Sequence, residues 1–275
     1  MYSYIKEGWR AAWKQPFLVL ILFTYRLGWG IVLYRIVQSI VVPLLHRFPD
    51  IQAAGGQTEL FLAEGQFQLL KTNFIDSYLW LFLGLLLTRM VITPMLNAGI
   101  YYSLSQTHLN SGYRFLKGIR ELGGVFLLYY LAQMAITLAP LYFLLPKWGS
   151  ILLGGEYNST LLVLIPLITG YLLYGYILHL VFMYLQFGKA WSRPWSESLR
   201  IALRSILSII GISILFMLGS ALIATIATSV LWIWASLWTL ILYQAYRLVH
   251  TFVHLWVITS QQQLYSTKTE TVRIT

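Results

Sequence analysis

The sequence predicts an all-α integral membrane protein that crosses the bilayer six times. Of its 275 residues, 58% are hydrophobic and 10% are charged, and the mean hydropathy is +0.69. A soluble domain is about 25% charged. Six apolar segments approach or exceed the roughly 20 residues that cross a bilayer. The basic residues lie mostly at one end of these segments, as they do in multi-pass membrane proteins.

The six predicted spans cover residues 16–44, 77–105, 122–146, 159–187, 205–229 and 230–258. Together they predict a single membrane domain over residues 1–258. One long outer loop is expected at residues 45–76. A polar cytoplasmic tail is expected at residues 259–275, with its end disordered.

The basic residues predict the orientation of the chain. If both termini are cytoplasmic, twelve lysines and arginines lie on the inner side: Lys6, Arg10, Lys14, Arg114, Lys117, Arg120, Lys189, Arg193, Arg200, Arg204, Lys268 and Arg273. Only Arg47, Lys71 and Lys147 then lie outside. Because cytoplasmic loops carry the excess of Lys and Arg, this difference predicts cytoplasmic N- and C-termini.

A short charged motif recurs before the apolar segments. Glu7, Arg10 and Lys14 have the same spacing as Glu197, Arg200 and Arg204, and the stretch 117–124 is a weaker copy with Arg120 at the position of Arg10. Each copy reads as an amphipathic elbow helix on the inner membrane surface. The pattern predicts three helical hairpins, each preceded by an elbow. The alternative is that any cytoplasmic helix end acquires this composition.

Four arginines lie deep inside the predicted spans, where the sequence places no acidic residue: Arg26, Arg35, Arg89 and Arg247. A charge at bilayer depth costs roughly 3 kcal/mol or more. We therefore expect a counter-anion from a ligand, a lipid headgroup or another subunit. At least two arginines would line one cavity, with Arg26 and Arg247 at one depth and Arg35 and Arg89 at another. Alternatively, the guanidinium groups bind free backbone carbonyls or reach phosphates at the bilayer edge.

The sixth predicted span carries a polar face. Gln244, Arg247, His250 and His254 fall within about a third of the helix circumference. This face must point into the bundle or onto a partner. The two histidines have a spacing that could bind a metal, but the spans contain neither cysteine nor acid to complete a site. A hydrogen-bonding seam is the preferred interpretation, and we expect no metal or cofactor.

Motifs for catalysis are missing from the sequence. It contains no cysteine, and we find no zinc-protease, serine-hydrolase or phosphate-loop motif. The net charge of +10 is spread along the membrane edges rather than clustered, so nucleic acid is not an expected partner. We expect a protein without enzymatic activity of its own.

The N-terminal segment resembles a known family. The first elbow leads into Phe-Thr-Tyr-Arg-Leu at residues 23–27, and a second elbow covers residues 194–204. These stretches resemble the membrane domain of bacterial glycerophosphodiester phosphodiesterases and related six-span bacterial proteins. Arg26 matches the basic residue of that motif. The resemblance implies a bacterial plasma membrane and a link to phospholipid or lipid-linked polymer metabolism. Since the chain contains no soluble phosphodiesterase domain, it implies no hydrolase activity.

Taken together, these patterns predict a protein that binds or translocates an anionic amphiphile or lipid through an arginine-containing cavity. Arg26 and Arg247 would hold the anion, with Gln244, His250 and His254 as secondary contacts. The alternatives are a membrane (permease) subunit of a larger complex, such as an ATP-driven exporter, or a structural or immunity membrane protein. The corresponding partners are membrane lipids, a cytoplasmic ATPase, another membrane subunit or a second copy of the chain.

Overall fold

The computed structural model describes residues 2–47, 74–154, 157–233 and 237–274. These residues form eight α-helices and, within the same ranges, no β-strand. In chain order the helices are α1 (Tyr2–Trp13), α2 (Pro16–Arg47), α3 (Phe74–Ser105), α4 (Ser111–Gly154), α5 (Tyr157–Ala190), α6 (Trp195–Arg204), α7 (Ile206–Ile233) and α8 (Leu237–Ile274).

Within the described residues, five helices are long and apolar enough to cross a membrane. The qualifying segments are Pro16–Ser39, Leu79–Ser105, Ser111–Tyr142, Ile165–Ala190 and Ile206–Val230. The chain is therefore a multi-pass helical membrane protein. The sixth predicted span, 230–258, lies partly outside the described residues.

The chain divides into two compact units. Unit 1 comprises Met1–Leu20 and Pro94–Thr275, and unit 2 comprises Ile21–Thr93. In unit 2 the hydroxyls of Tyr25 on α2 and Thr93 on α3 lie 2.8 Å apart. This hydrogen bond joins two apolar helices through polar side chains, which is a common way to hold membrane helices together.

In unit 1, helices α4 and α5 are antiparallel neighbours. Gln133 contacts His179 at 3.4 Å, and the Tyr171 hydroxyl donates to the carbonyl of Thr137 at 3.0 Å. As residue numbers rise along α4, those of the contacting residues fall along α5. The tyrosine bond uses a backbone carbonyl that also belongs to the helix, so it adds a contact without breaking the helical ladder.

Helices α7 and α8 form a second antiparallel pair in unit 1. The Gln261 side-chain amide donates to the carbonyl of Ile209 at 3.0 Å, and the rings of Phe216 and Trp256 meet edge to face with centroids 4.8 Å apart. Edge-to-face contacts are a favoured packing mode of aromatic rings. These contacts fix the register of α8 against α7.

A sharp turn connects α5 to the short helix α6. Ser192 adopts a left-handed conformation with φ 54°, and the Arg193 amide donates to the carbonyl of Gly188 at 2.8 Å. The Ser192 amide donates to the carbonyl of Lys189 at 3.1 Å. This bonding pattern ends a helix by satisfying its last carbonyls. Pro194 follows, in an extended conformation, and α6 begins at the next residue.

The third copy of the charged motif does not form a separate helix. The stretch 117–124 lies inside α4, which begins at Ser111 and continues without a break. Gly123 and Gly124 could have ended a helix, but no described glycine has a positive φ. Without a left-handed residue or a proline, the helix has no reason to stop there. The structure thus differs from the elbow expected at this position.

The C-terminal segment also differs from the expected tail. Helix α8 continues to Ile274, and Ser260, Gln261, Leu264 and Tyr265 are buried. The polar side chains can be buried because neighbouring helices bind them, as described below. Similarly, the boundary expected between residues 229 and 230 lies inside α7, which ends at Ile233.

Candidate functional site

Three of the four arginines in the predicted spans belong to unit 2. Arg26 is half-buried and interacts with other residues, whereas the side chains of Arg35 and Arg89 are exposed. Arg26 and Arg35 thus differ in exposure, as their opposite positions around α2 suggest. The guanidinium carbon of Arg89 lies 6.0 Å from the ring centroid of Trp29. An arginine over a tryptophan face is attracted by the ring quadrupole, which offsets part of the cost of its charge.

The fourth arginine, Arg247, belongs to α8 in unit 1. It is half-buried, and its guanidinium carbon lies 5.9 Å from the ring centroid of Tyr243. The residues predicted to share its face, Gln244, His250 and His254, are exposed. His250 and His254 each interact with other residues, and His250 lies against Tyr246 with centroids 6.0 Å apart. The predicted polar face therefore lies at the surface of the described chain.

Carboxylates are engaged elsewhere in the described part of the chain. The ion pairs there join Lys117 to Glu121 at 3.7 Å and Arg193 to Glu197 at 3.6 Å, each between residues four positions apart. In these ranges, neither Arg89 nor Arg247 forms an ion pair. Aromatic rings rather than acids are their nearest described partners.

The structure also reveals a packed region of unit 1 that was not predicted from the sequence. In this region the part of α8 from Trp256 to Tyr265 meets α1, α6 and the α3–α4 connection. We call it the basal end. Here α1 crosses α8 at Gly8 and Ser260 so closely that a methyl group added at Gly8 would lie 2.7 Å from the Ser260 Cα. The Thr259 hydroxyl donates to the Gly8 carbonyl at 2.8 Å, and the Trp256 indole donates to the Ile5 carbonyl at 2.8 Å.

The other two motif copies make comparable approaches. A methyl group at Gly118 would lie 2.5 Å from the Tyr102 Cβ, and one at Gly188 would lie 2.7 Å from the Ser198 Cβ. Gly8, Gly118 and Ser198 each stand two residues before the motif arginine. Small residues allow helix backbones to approach closely. A small residue two positions before each motif arginine was therefore the sequence signal that would have predicted these close helix contacts.

A buried polar network holds the basal end together. The Gln261 side chain donates to the Ser213 hydroxyl at 3.0 Å and accepts from the Tyr184 hydroxyl at 2.9 Å. The Gln262 amide donates to the carbonyl of Leu104 at 3.3 Å. These bonds connect α8 to α7, α5 and α3. Since a buried polar group without a partner is costly, the network specifies how the helix ends converge.

The most unusual charge in this region is Arg114, in the first turn of α4. Its side chain is 3% exposed, and its partners are the Gln15 amide oxygen, the Thr107 carbonyl and the Ser111 hydroxyl. All three are neutral. Arg114 was expected among the inner surface charges, because burial of an arginine at a helix end has no sequence signature.

Comparisons with protein families, curated proteins and solved structures give no match to this chain.

Proposed function

We propose that the protein binds or translocates an anionic amphiphile or lipid, with intramembrane arginines as the anion contacts. In unit 2 the contacts would be Arg26, Arg35 and Arg89. In unit 1 they would be Arg247, with Gln244, His250 and His254 as secondary polar contacts.

The observation that supports this proposal is the environment of Arg89 and Arg247. Arg89 lies in a helix apolar enough to cross a membrane, and Arg247 lies in the sixth predicted span; each contacts an aromatic ring, and in the described ranges neither is paired with a carboxylate. Cation–π contact contributes about 0.5–2 kcal/mol, which is less than the roughly 3 kcal/mol that a charge costs at bilayer depth. An external phosphate or carboxylate would supply the difference, and guanidinium binds such groups with two parallel hydrogen bonds.

In the proposed arrangement, six spans form three hairpins with both termini in the cytoplasm of a bacterial cell. The antiparallel pairs α4–α5 and α7–α8 support two of the hairpins. Helix α6 has the character of an interfacial elbow, because exposed Trp195 and Leu203 flank exposed Arg200. Such a helix can place its apolar side chains in the bilayer and its charged side chains toward water.

A second candidate is a membrane subunit of a larger complex, such as the permease of an ATP-driven exporter. It is favoured by the exposure of Gln244, His250 and His254 within the sixth predicted span. Polar side chains exposed at that depth are better matched by a partner helix than by lipid chains.

The test is native mass spectrometry of the purified protein with its bound lipids. Arg89→Gln and Arg247→Gln should each reduce the amount of co-purifying anionic lipid by about tenfold, the effect of losing one charged hydrogen-bonding partner. Arg193→Gln is the control, because it removes the same charge from an arginine already paired with Glu197.

Wild-type lipid retention in both variants would rule out the proposed anion contacts. If a second protein instead co-purifies with the wild type and is lost from the Arg247→Gln variant, the complex-subunit candidate is supported.

A further inference from the structure

The basal end contains a cleft of about 650 Å³ whose lining residues do not include Arg26, Arg35, Arg89 or Arg247. One wall is α1 and the residue after it, with Arg10, Lys14 and Gln15. The others are the α3–α4 connection with Arg114, and α8 with Gln262. All of these residues belong to unit 1.

The cleft is strongly positive. Three cationic side chains line it, Arg10, Lys14 and Arg114, against one acid, Glu7. Arg10 and Lys14 are exposed, stand four residues apart and form no ion pair in the described ranges. Glu7 instead accepts a hydrogen bond from the Ser3 hydroxyl at 3.0 Å. A positive, partly enclosed surface attracts anions from solution or from a membrane surface.

Buried polar groups in the lining have unused hydrogen-bonding capacity. Among the described residues, the Nε of Arg114 and the Oε1 of Gln262 have no hydrogen-bond partner, although the two residues are only 3% and 8% exposed. Arg114 also carries a buried positive charge whose described partners are all neutral. A buried charge without a countercharge is destabilising, so an anion in the cleft would stabilise both the charge and the fold around it.

Helix α4 begins beside these groups. Ser111, its first residue, lines the cleft with Asn110, and the Arg114 amide donates to the carbonyl of Asn110, the residue before α4, at 3.0 Å. The amides of residues 111–113 therefore precede the helical ladder. Amides at a helix start, together with the helix dipole, favour a negative group.

We propose that this cleft binds a phosphate group, carried either by free phosphate or by the headgroup of an anionic phospholipid. Arg10, Lys14 and Arg114 bind its oxygens, and the start of α4 adds backbone donors. Gln262 offers an acceptor for a ligand hydroxyl, such as the acid hydrogen of inorganic phosphate or a glycerol hydroxyl of phosphatidylglycerol. Three cationic side chains around one group match the oxygens of a phosphate better than they match the two oxygens of a carboxylate. This site does not depend on Arg89 or Arg247.

The first arm of the test is calorimetric titration of the whole chain, held in phosphatidylcholine nanodiscs, with inorganic phosphate. Chloride at matched ionic strength is the reference. The second arm is native mass spectrometry after exchange into mixed phosphatidylglycerol and phosphatidylcholine. A free-phosphate site gives saturable heat in the first arm, and a headgroup site gives selective phosphatidylglycerol retention in the second.

The variants are Arg10→Gln with Lys14→Gln, both at exposed positions that should not disturb folding. We expect the affinity in the responding arm to fall about a hundredfold, or tenfold for each charge removed. The matched control is Arg200→Gln with Arg204→Gln, which makes the same change at the equivalent positions of α6 and should alter affinity less than about twofold.

Two results would overturn the site. One is an unchanged response of the Arg10 and Lys14 double variant in both arms. The other is an equal loss in the α6 double variant, which would mean that net charge alone attracts the anion. If the Arg10 and Lys14 double variant loses binding while Arg89→Gln and Arg247→Gln bind like the wild type, the cleft is a different site from the proposed arginine contacts in the spans.

Discussion

Helices α1 and α6 carry the same charge spacing, and each precedes an apolar helix, but they are held to unit 1 by different groups. Helix α1 is held through its backbone, because Thr259 on α8 donates to the carbonyl of Gly8. Helix α6 is held through side chains, with the Ser198 hydroxyl 3.1 Å from that of Tyr265. A backbone contact fixes the distance between two helices more strictly than a contact between side chains that can rotate.

The surroundings of the two helices differ as well. Beside α1 lies the start of α4, so Arg10 and Lys14 line a cleft that also holds Arg114. In the described part of the chain, the equivalent Arg200 and Arg204 line a shallow groove formed by α6 itself. The two copies of the motif thus carry the same charges, but only the copy on α1 has the start of α4 beside it to form a cleft that can enclose a ligand.

The largest expected effect comes from Gly8→Ala. Its new methyl group would lie 2.7 Å and 2.8 Å from the Cα and amide nitrogen of Ser260, so α1 and α8 must separate. We expect the free energy of unfolding, measured in detergent mixtures, to fall by about 2–3 kcal/mol. Gly124→Ala is the control, because nothing lies within 4 Å of its added methyl group. An equal loss in both variants would show that helix crossing is not the cause.

Gly188→Ala should also destabilise the protein, by about 1–3 kcal/mol, because its added methyl group would lie 2.7 Å from the Ser198 Cβ. Adding Ser198→Gly should therefore restore most of the stability. The corresponding pair on the other side, Gly8→Ala with Ser260→Gly, should not recover, since the clash there is with backbone atoms. A double-mutant cycle for each pair measures the difference. Equal rescue of the two pairs would contradict the distinction between backbone and side-chain attachment.

The smallest effect is a pH dependence on the α6 side. Burial raises the pKa of Tyr265, so the native protein holds this proton more tightly than the unfolded chain. The stabilisation is complete below the unfolded value of about 10 and is lost as pH rises toward the higher native pKa. Between these two pKa values, the free energy of unfolding of the wild type should fall with pH more steeply than that of Tyr265→Phe. The difference in slope should be at most about 1.4 kcal/mol per pH unit.

Unfolding curves of wild type and Tyr265→Phe across this alkaline range provide the measurement. Hydrogen exchange should show α6 loosening before α1, because Tyr265 contacts Ser198 on α6. Parallel pH curves for the two proteins would mean that the Tyr265 proton does not contribute.

The positions of the apolar helices could be predicted because the cost of exposing backbone and charge in a bilayer leaves few alternatives. The burial of the C-terminal end of α8 could not be predicted. Gln261 and Gln262 read as a polar tail, and their burial depends on partners on α3, α5 and α7 that are distant in sequence. Arg114 was missed for the same reason. Its neutral partners, Gln15 and Thr107, come together only when α1 packs beside the α3–α4 connection.

The contact between α1 and α8 has a consequence for biogenesis. The carbonyl of Gly8 and the hydroxyl of Thr259 are separated by 251 positions, so α1 cannot reach its partner until translation has proceeded far beyond it. Docking of α1 against α8 therefore follows the synthesis of α8, and the close crossing at Gly8 forms late in folding.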